Sequence, residues 1–269
     1  MKKNIFLLAL LFSGSMLAAC TQMVNGMVRA SISETNNHDY KDDKERGPVV
    51  ERALQVSSFE ALDLSGRVRI IYTQGKDTQV TLRGNEKDLA KYDARVKDNE
   101  LKISLKDKSF RVNGSSPRLT ALVTAPALKG VDVSGACVLE MPGKVSQDCA
   151  LDIEVSGAVD MKAADLEVGS LDLEVSGAGD VNLTRLKARQ DVDIEVSGAG
   201  DVDGNIQARN IGVELSGAGD VNLTVDCDAL DCSASGAGDL TLKGKCRTFK
   251  KSKSGTASVN RKKLKVTGK

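Results

Sequence analysis

The chain has 269 residues, and its 38 Lys and Arg nearly balance its 37 Asp and Glu, which argues against a generally basic nucleic-acid binder. Apolar residues make up 41% of the sequence, enough for a packed core, whereas aromatic residues make up only 3%. The single histidine, His38, removes most histidine-dependent catalysis from consideration.

Residues 1–19 have the features of an export signal. A positively charged start is followed by a short apolar stretch, Ile5–Met16, which is too short to span a bilayer as a helix. The stretch ends in Leu-Ala-Ala-Cys20, which resembles the lipobox of bacterial lipoproteins. The resemblance implies cleavage before Cys20 and attachment of acyl chains to that residue, which would anchor the protein to a membrane. The alternative is a plain secretory signal in which Cys20 is incidental.

Residues 20–48 are predicted to form a flexible tether between the lipid anchor and a folded domain. They contain the charge run Asp39–Arg46 and no sustained apolar period, so they are expected to remain solvated, His38 included. Thr21 stands where an inner-membrane retention signal would place aspartate, which favours the outer membrane. The sequence leaves open whether the protein faces the periplasm or the cell surface.

Residues 49–126 predict a strand-rich N-terminal half. Apolar residues alternate with polar ones, and Asp98-Asn99 marks a turn between two such runs. One short helix is predicted over Glu86–Tyr92, with Asn85 as its cap. The alternating apolar positions are Leu62, Leu64, Val68, Ile70, Val80, Leu82, Val96, Leu101, Ile103, Leu105, Leu119, Ala121 and Val123.

Residues 127–260 contain a repeat, and a basic tail, 261–269, follows it. A Ser-Gly-Ala motif recurs with spacings of 22, 20, 21, 19 and 19 residues, and a degraded Ser-Gly-Thr copy follows 19 residues later. A period near twenty is too short for paired helices but suits one coil of a β-solenoid. The motif serines are Ser134, Ser156, Ser176, Ser197, Ser216, Ser235 and Ser254.

The residues around each motif predict which side chains enter the core. Aliphatic residues stand three and one positions before the serine and, in most copies, five positions after it, with a glutamate between the first two. Period-two alternation places the aliphatics inside and the glutamates outside. The coils are expected to stack about 4.8 Å apart, with small residues at the corner and the motif glycine free to adopt positive φ. The predicted inward residues are Ile153, Val155, Met161, Leu173, Val175, Val181, Ile194, Val196, Val202, Val213, Leu215, Val221 and Leu240, and the predicted outward residues are Glu154, Glu174, Glu195 and Glu214.

The combination of these features resembles one known family. The lipobox, the segment Phe59-Glu-Ala-Leu-Asp-Leu-Ser-Gly, the segment Asp98-Asn-Glu-Leu-Lys-Ile and the Ser-Gly-Ala-Gly-Asp repeats are similar to the GIN-domain family, known as "putative auto-transporter adhesin" heads. The resemblance covers roughly residues 50–260. It implies an all-β fold, a single-stranded right-handed parallel β-helix (a β-solenoid) like that of pectate lyases. It supplies no catalytic residues.

An aspartate follows each of five motif serines by four positions, and stacking would align these carboxylates. A row of Ca²⁺ sites is one interpretation, because Ca²⁺ takes several carboxylate and carbonyl oxygens. The other is that each aspartate accepts hydrogen bonds from turn amides and closes a corner of the coil. The nine-residue spacing of calcium-binding β-rolls is absent, and we predict no resident metal or cofactor. The five residues are Asp160, Asp180, Asp201, Asp220 and Asp239.

The sequence predicts a non-enzymatic cell-envelope lipoprotein that acts as an adhesin-like binding or scaffold module. Its partners would be the membrane, through Cys20, and a polysaccharide or protein of the envelope or the cell exterior, with no nucleic acid. A carbohydrate-active enzyme is the first alternative, but the acidic residues repeat identically and residues 127–248 contain no aromatic side chain to stack on a sugar. A structural lipoprotein without a specific ligand is the second.

Charge is segregated along the chain. Residues 130–240 hold 22 acidic and 6 basic residues, a net charge of 6 − 22 = −16, whereas residues 241–269 hold 11 basic residues and no acid. Lys251 and Lys253 replace aliphatics at the inward positions before Ser254. The basic end is predicted either to cap the last open coil or to bind an anionic surface.

Five cysteines remain beyond Cys20, an odd number for an oxidising compartment. Cys227 and Cys246 each follow their motif serine by eleven residues, so adjacent coils would bring them within disulfide range; a disulfide and two free thiols both remain open. Cys232 occupies an inward slot and is predicted to be a core thiol. Cys137 and Cys149 receive no assignment.

Overall fold

The computed structural model describes residues 48–107 and 119–268, which belong to one compact unit, Pro48–Lys269. The predicted signal, Cys20 and the predicted tether up to residue 47 lie outside the described residues. Before the repeat, the elements are β1 (Val49–Leu54), β2 (Ala61–Leu64), β3 (Arg67–Gln74), β4 (Gln79–Asn85), α1 (Glu86–Leu89), β5 (Tyr92–Lys97), β6 (Glu100–Leu105) and β7 (Leu119–Ala125).

The repeat region consists of strands throughout. Its elements are β8 (Gly130–Val133), β9 (Ala136–Ser146), β10 (Leu151–Val155), β11 (Ala158–Val168), β12 (Leu171–Val175), β13 (Ala178–Ala188), β14 (Asp191–Val196), β15 (Asp201–Gln207), β16 (Asn210–Leu215), β17 (Val221–Ala234), β18 (Asp239–Lys253) and β19 (Ser258–Val266). Residues 261–266, predicted to belong to the basic tail, continue strand β19.

The strands form a parallel β-solenoid with two ladders, which confirms the predicted fold class. The first ladder stacks β8, β10, β12, β14, β16 and the second halves of β17 and β18. The second ladder stacks β9, β11, β13, β15, the first halves of β17 and β18, and β19. The Ser-Gly motif connects a strand of the first ladder to a strand of the second in each coil, because these small residues allow a tight corner.

The N-terminal half extends the same solenoid, but its coils are not stacked in chain order. β2 lies between β6 and β8 in the first ladder, and β3 lies between β7 and β9 in the second. The chain therefore forms one coil, β2–β3, then the coil beneath it, β6–β7, and only afterwards the repeats above.

Antiparallel strands cover the end of the solenoid next to β6 and β7. β4 pairs with β7 and with β1, while β5 pairs with β6 through a hairpin in which Asp98 and Asn99 have positive φ. The short helix α1 follows β4 as predicted, although it ends at Leu89 and the Asn85 side chain makes no capping hydrogen bond. This end of the solenoid is thus closed by strands that run against the coil direction.

The interior is one continuous hydrophobic cluster from Phe59 to Leu264. All thirteen residues predicted to point inward around the motifs are buried, and the four glutamates between them are exposed. Aliphatic residues of adjacent coils are register partners of one another, as are Ile153, Leu173 and Ile194. The period-two prediction for the core is confirmed.

The predicted role of the motif glycines is wrong in six of the seven copies. Among the described glycines only Gly66, Gly244 and Gly255 have positive φ, and of these only Gly255 belongs to a repeat motif. The other copies need glycine for space: a Cβ on Gly177, Gly198, Gly217 or Gly236 would lie 1.9 Å from the carbonyl oxygen of the corresponding glycine one coil earlier. Glycine therefore allows the corners of neighbouring coils to stack backbone on backbone.

Candidate functional site

The outward side of the first ladder carries a column of carboxylates. Asp132, Glu154, Glu174, Glu195 and Glu214 are consecutive register partners on β8, β10, β12, β14 and β16. All five side chains are exposed. Because neighbouring strands lie about 4.8 Å apart, these carboxylates repeat at that interval along the solenoid.

A second column runs beside the first, and the sequence reasoning missed it. Asp152, Asp172 and Asp193 are register partners two residues before the glutamates, and Asp231 continues the column after Gly212. The signal was present as the recurring Asp-x-Glu pattern, since residues two apart on a strand share a face. We call the two columns together the acidic face; its residues are Asp132, Asp152, Glu154, Asp172, Glu174, Asp193, Glu195, Glu214 and Asp231.

Like charges crowd this face. Burial, together with Asp63 and Glu154, raises the pKa of Asp132, and burial together with Asp172 and Asp191 raises the pKa of Asp193. Lys102 forms ion pairs with Asp63 and Glu100 at the end of the face next to β6. Within the described part of the chain, no Lys or Arg forms an ion pair with a member of the acidic face itself. The face thus presents a continuous negative surface.

The aspartate row predicted from the motifs lies on the second ladder, away from the acidic face. Asp160, Asp180 and Asp201 are register partners, as predicted. The backbone amide of Asp220 donates a 2.8 Å hydrogen bond to Oδ1 of Asp201, and the amide of Asp239 donates a 3.0 Å bond to Oδ1 of Asp220. These two carboxylates accept bonds from the next coil, the arrangement expected of a corner cap.

The described residues contain no group of three or more His, Cys, Asp or Glu arranged to hold a metal ion. Asp160 also accepts a 3.2 Å bond from Nζ of Lys162. The row therefore has geometry suited to stabilising corners between coils, and Ca²⁺ binding stays the alternative interpretation.

The cysteines lie on or near the core. Cys227 and Cys246 are register partners on β17 and β18, as predicted, and all five described cysteines are free thiols. Cys232 is buried in the predicted inward slot, and Cys137 is buried as well, whereas Cys149 is partly exposed. Burial raises the pKa of Cys227 and of Cys232 to about 12 and that of Cys137 to about 11. These thiols are therefore weak nucleophiles at neutral pH.

A family model described as "Putative auto-transporter adhesin, head GIN domain" matches residues 58–205 and 185–268. Nothing among the curated proteins matches this chain. The described residues include no helix long and apolar enough to cross a membrane.

Several solved structures share the fold. A "putative adhesin" from Bacteroides fragilis NCTC 9343 is 26% identical, with a TM-score of 0.72 over 79% of this chain and 96% of that chain. A "putative adhesin" from Parabacteroides distasonis ATCC 8503 is 20% identical, with a TM-score of 0.63 over 80% of this chain and 97% of that one. A "putative lipid binding protein" from the same organism is 18% identical, with a TM-score of 0.59 over 80% and 96%. The last two likenesses concern the fold alone.

Proposed function

This chain belongs to the head GIN domain family, and on that premise we propose that it is a non-enzymatic, lipid-anchored envelope protein that acts as an adhesin-like binding or scaffold module. The acidic face is its contact surface. The partner is an extended molecule of the envelope or the cell exterior that carries repeated cationic groups, matched to carboxylates at the coil spacing.

The observation that carries this proposal is the regularity of the acidic face. Acid catalysis by paired carboxylates needs two groups in unequal surroundings, usually in a cleft, so that their pKa values separate. Here exposed carboxylates repeat in two columns on the outside of a sheet. Repeated sites on a rigid support favour an extended ligand, because many weak contacts then act together.

The proposed location is the cell envelope, with acyl chains on Cys20 and the outer membrane as the anchor. The family description and the adhesin neighbour from Bacteroides support an envelope protein. The lipobox and Thr21 support the anchor and the choice of membrane. Labelling with radioactive palmitate tests the anchor: the wild-type chain should incorporate label and the Cys20→Ser variant should not.

The contact surface can be tested with immobilised polylysine as a repeating cationic probe. The double variant Glu174→Gln/Glu195→Gln should bind several-fold more weakly than the wild type, because it interrupts the column at its centre. The matched control, Asp180→Asn/Asp239→Asn, removes two charges from the second ladder and should retain binding. Equal loss in both variants would show that only net charge matters and would refute the acidic face as the contact surface.

Protease shaving of intact cells, with a periplasmic protein as control, separates adhesion from scaffolding. Digestion of the protein under conditions that spare the control would place the protein at the cell surface. External partners could then reach its acidic face. Complete protection excludes adhesion to targets outside the cell and limits the function to an envelope scaffold.

A further inference from the structure

The end of the solenoid opposite the antiparallel strands is basic. The last coil consists of the second half of β18 and of β19, and within the described residues neither pairs with a further strand beyond it. Its cations, which we call the basic pole, project from both strands. They are Lys250, Lys251, Lys253, Arg261, Lys262, Lys263 and Lys265.

Part of this charge occupies positions that hold apolar side chains in earlier coils. Lys251 is the register partner of buried Cys232, and Lys253 is the partner of buried Ala234. Arg261 lies in a bulge opposite Leu242, where β19 contains one extra residue. The aliphatic stems of such side chains cover the last apolar layer while their charged ends remain in water. The pole is therefore charged across the end of the coil as well as along its rim.

Among the described residues, no cation of the basic pole forms an ion pair with a carboxylate, although Lys250 is the register partner of Asp231. Lys245 pairs with Asp226 and Arg247 pairs with Asp228, one coil before the end. Beyond them, in the part of the chain that the structure describes, no ion pair involves a member of the pole, and the last acidic residue of the sequence is Asp239.

Apolar groups lie among these cations. Phe249 is partly buried in the last coil, and the Arg261 guanidinium lies over its ring, 5.2 Å from the centroid. Val266, at the end of β19, is 38% exposed, and residues 258–262, at the start of the same strand, line an open groove. Unpaired cations interspersed with exposed apolar side chains are typical of surfaces that dock on anionic bilayers.

We propose that the basic pole is a docking surface for an anionic lipid surface. The lysines and Arg261 contact phosphate headgroups, while Val266 and the edge of Phe249 enter the headgroup boundary. A soluble polyanion would satisfy the cations but would offer nothing to Val266, which is why the structure favours a lipid surface. Docking by the pole leaves the acidic face free along the side of the solenoid, so this proposal goes beyond the proposed function and stands independently of it.

The test uses the compact unit 48–269, in which every described strand pairs with at least one other strand. This unit lacks Cys20, so no acyl chain contributes to binding. The probes are vesicles of phosphatidylethanolamine with phosphatidylglycerol and vesicles of phosphatidylcholine alone. We expect co-sedimentation with the first and not with the second. The variant Lys262→Gln/Lys263→Gln/Lys265→Gln should bind roughly 100-fold more weakly, since each lysine near such a surface contributes about 1 kcal/mol.

The control Lys144→Gln/Lys162→Gln/Lys187→Gln removes the same charge from the side of the solenoid and should bind like the wild type, with both variants melting near the wild-type temperature. A further variant, Val266→Ser, should weaken vesicle binding several-fold without changing the binding of dextran sulfate. Equal loss in the two lysine variants would overturn the proposal. So would binding to dextran sulfate with none to anionic vesicles, which would assign the pole to a soluble polyanion, or binding to neither, which would make it a cap only.

Discussion

Val196 and Glu195 are adjacent on β14, yet their side chains have opposite environments. Val196 is fully buried between register partners Val175 and Leu215, whereas Glu195 is exposed on the acidic face. The period of two along the strand decides between these environments at every residue of a coil. A single substitution at either residue therefore tests the orientation of the whole strand.

We expect Val196→Asp to destabilise the protein by about 4 kcal/mol or more, because an unpaired carboxylate would enter a dry apolar stack. Glu195→Gln, its neighbour and control, should change stability by less than about 0.5 kcal/mol. Thermal unfolding followed by circular dichroism measures both. A well-folded Val196→Asp protein with an unchanged melting temperature would contradict the buried orientation.

The acidic face should make stability depend on pH. Because the pKa of Asp132 and of Asp193 is raised in the folded protein, the folded state binds protons more readily than the unfolded state. Their ionised forms cost stability at neutral pH, and this cost is relieved as pH falls through the raised pKa toward the ordinary aspartate range, about pH 4. Asp193→Asn should therefore raise stability at neutral pH and lose that advantage near pH 4. A difference from the wild type that is constant with pH would contradict the shift.

At the scale of the structural element, the corner between the two ladders sets how closely the coils approach. The Ser-Gly corner repeats through the stack, and the amide of each corner alanine bonds to the carbonyl of a glycine in the preceding coil, as in Ala199 to Gly177 at 3.0 Å. The motif glycines therefore form a column with no room for a side chain. The corner depends on contact between coils more than on the conformational freedom of glycine.

Gly198→Ala should destabilise the protein by about 1–3 kcal/mol, since its Cβ would lie 1.9 Å from the carbonyl oxygen of Gly177 and the backbones would have to separate. Ala199→Ser changes the exposed neighbouring residue in the same corner and serves as the control, with an expected effect within about 0.5 kcal/mol. Melting temperatures of the two variants give the comparison. Equal stability of both would show that the corners tolerate a side chain.

Two register partners, Cys227 and Cys246, could join the last coils covalently. Both are free thiols in the structure, and a disulfide formed by their oxidation would close a loop of about twenty residues and contribute about 3 kcal/mol in the chain-entropy model. Mass spectrometry of protein prepared without reductant would detect the linked peptides, and the Cys227→Ser variant supplies the unlinked control. Alkylation of either residue in native, unreduced protein would rule the disulfide out.

The whole molecule has two unlike ends. Antiparallel strands cover the end next to β6 and β7, whereas the other end leaves the edges of β18 and β19 without a strand partner among the described residues. An open β-edge is a template for association, and charged residues at inward positions are one way to prevent it. In this protein, Lys251 and Lys253 occupy the inward positions of the last coil.

Replacing both residues, Lys251→Val/Lys253→Val, should therefore cause association through the open end, because two aliphatic side chains would extend the apolar core to the surface. Light scattering after size-exclusion chromatography should show oligomers that grow with protein concentration. The control Lys243→Val/Lys250→Val makes the same change at outward positions of β18. Its oligomeric state should be the same as that of the wild type. Equal oligomer formation by the two variants would show that lysines at the inward positions do not specifically prevent association through the open end.

The sequence by itself determined the interior of each coil and the periodic exterior of the repeats. Inward residues such as Ile153, outward residues such as Glu174 and the neighbourhood of Cys227 and Cys246 all follow from a period of two combined with a repeat near twenty. Such patterns are local, and a fixed repeat aligns equivalent residues on neighbouring coils without further information.

Only the tertiary structure decided three other features. The coil β6–β7 lies beneath β2–β3 although it follows it in the chain, because pairing between distant strands leaves no local pattern in the sequence. The motif glycines, such as Gly198, are required because a Cβ would collide with the backbone of the preceding coil. That close approach between backbones exists only once the coils are stacked. The open end depends on which strands lack a neighbour, and among the described residues these are the second half of β18 and β19. Each of these is a relation between coils, which local periodicity leaves undetermined.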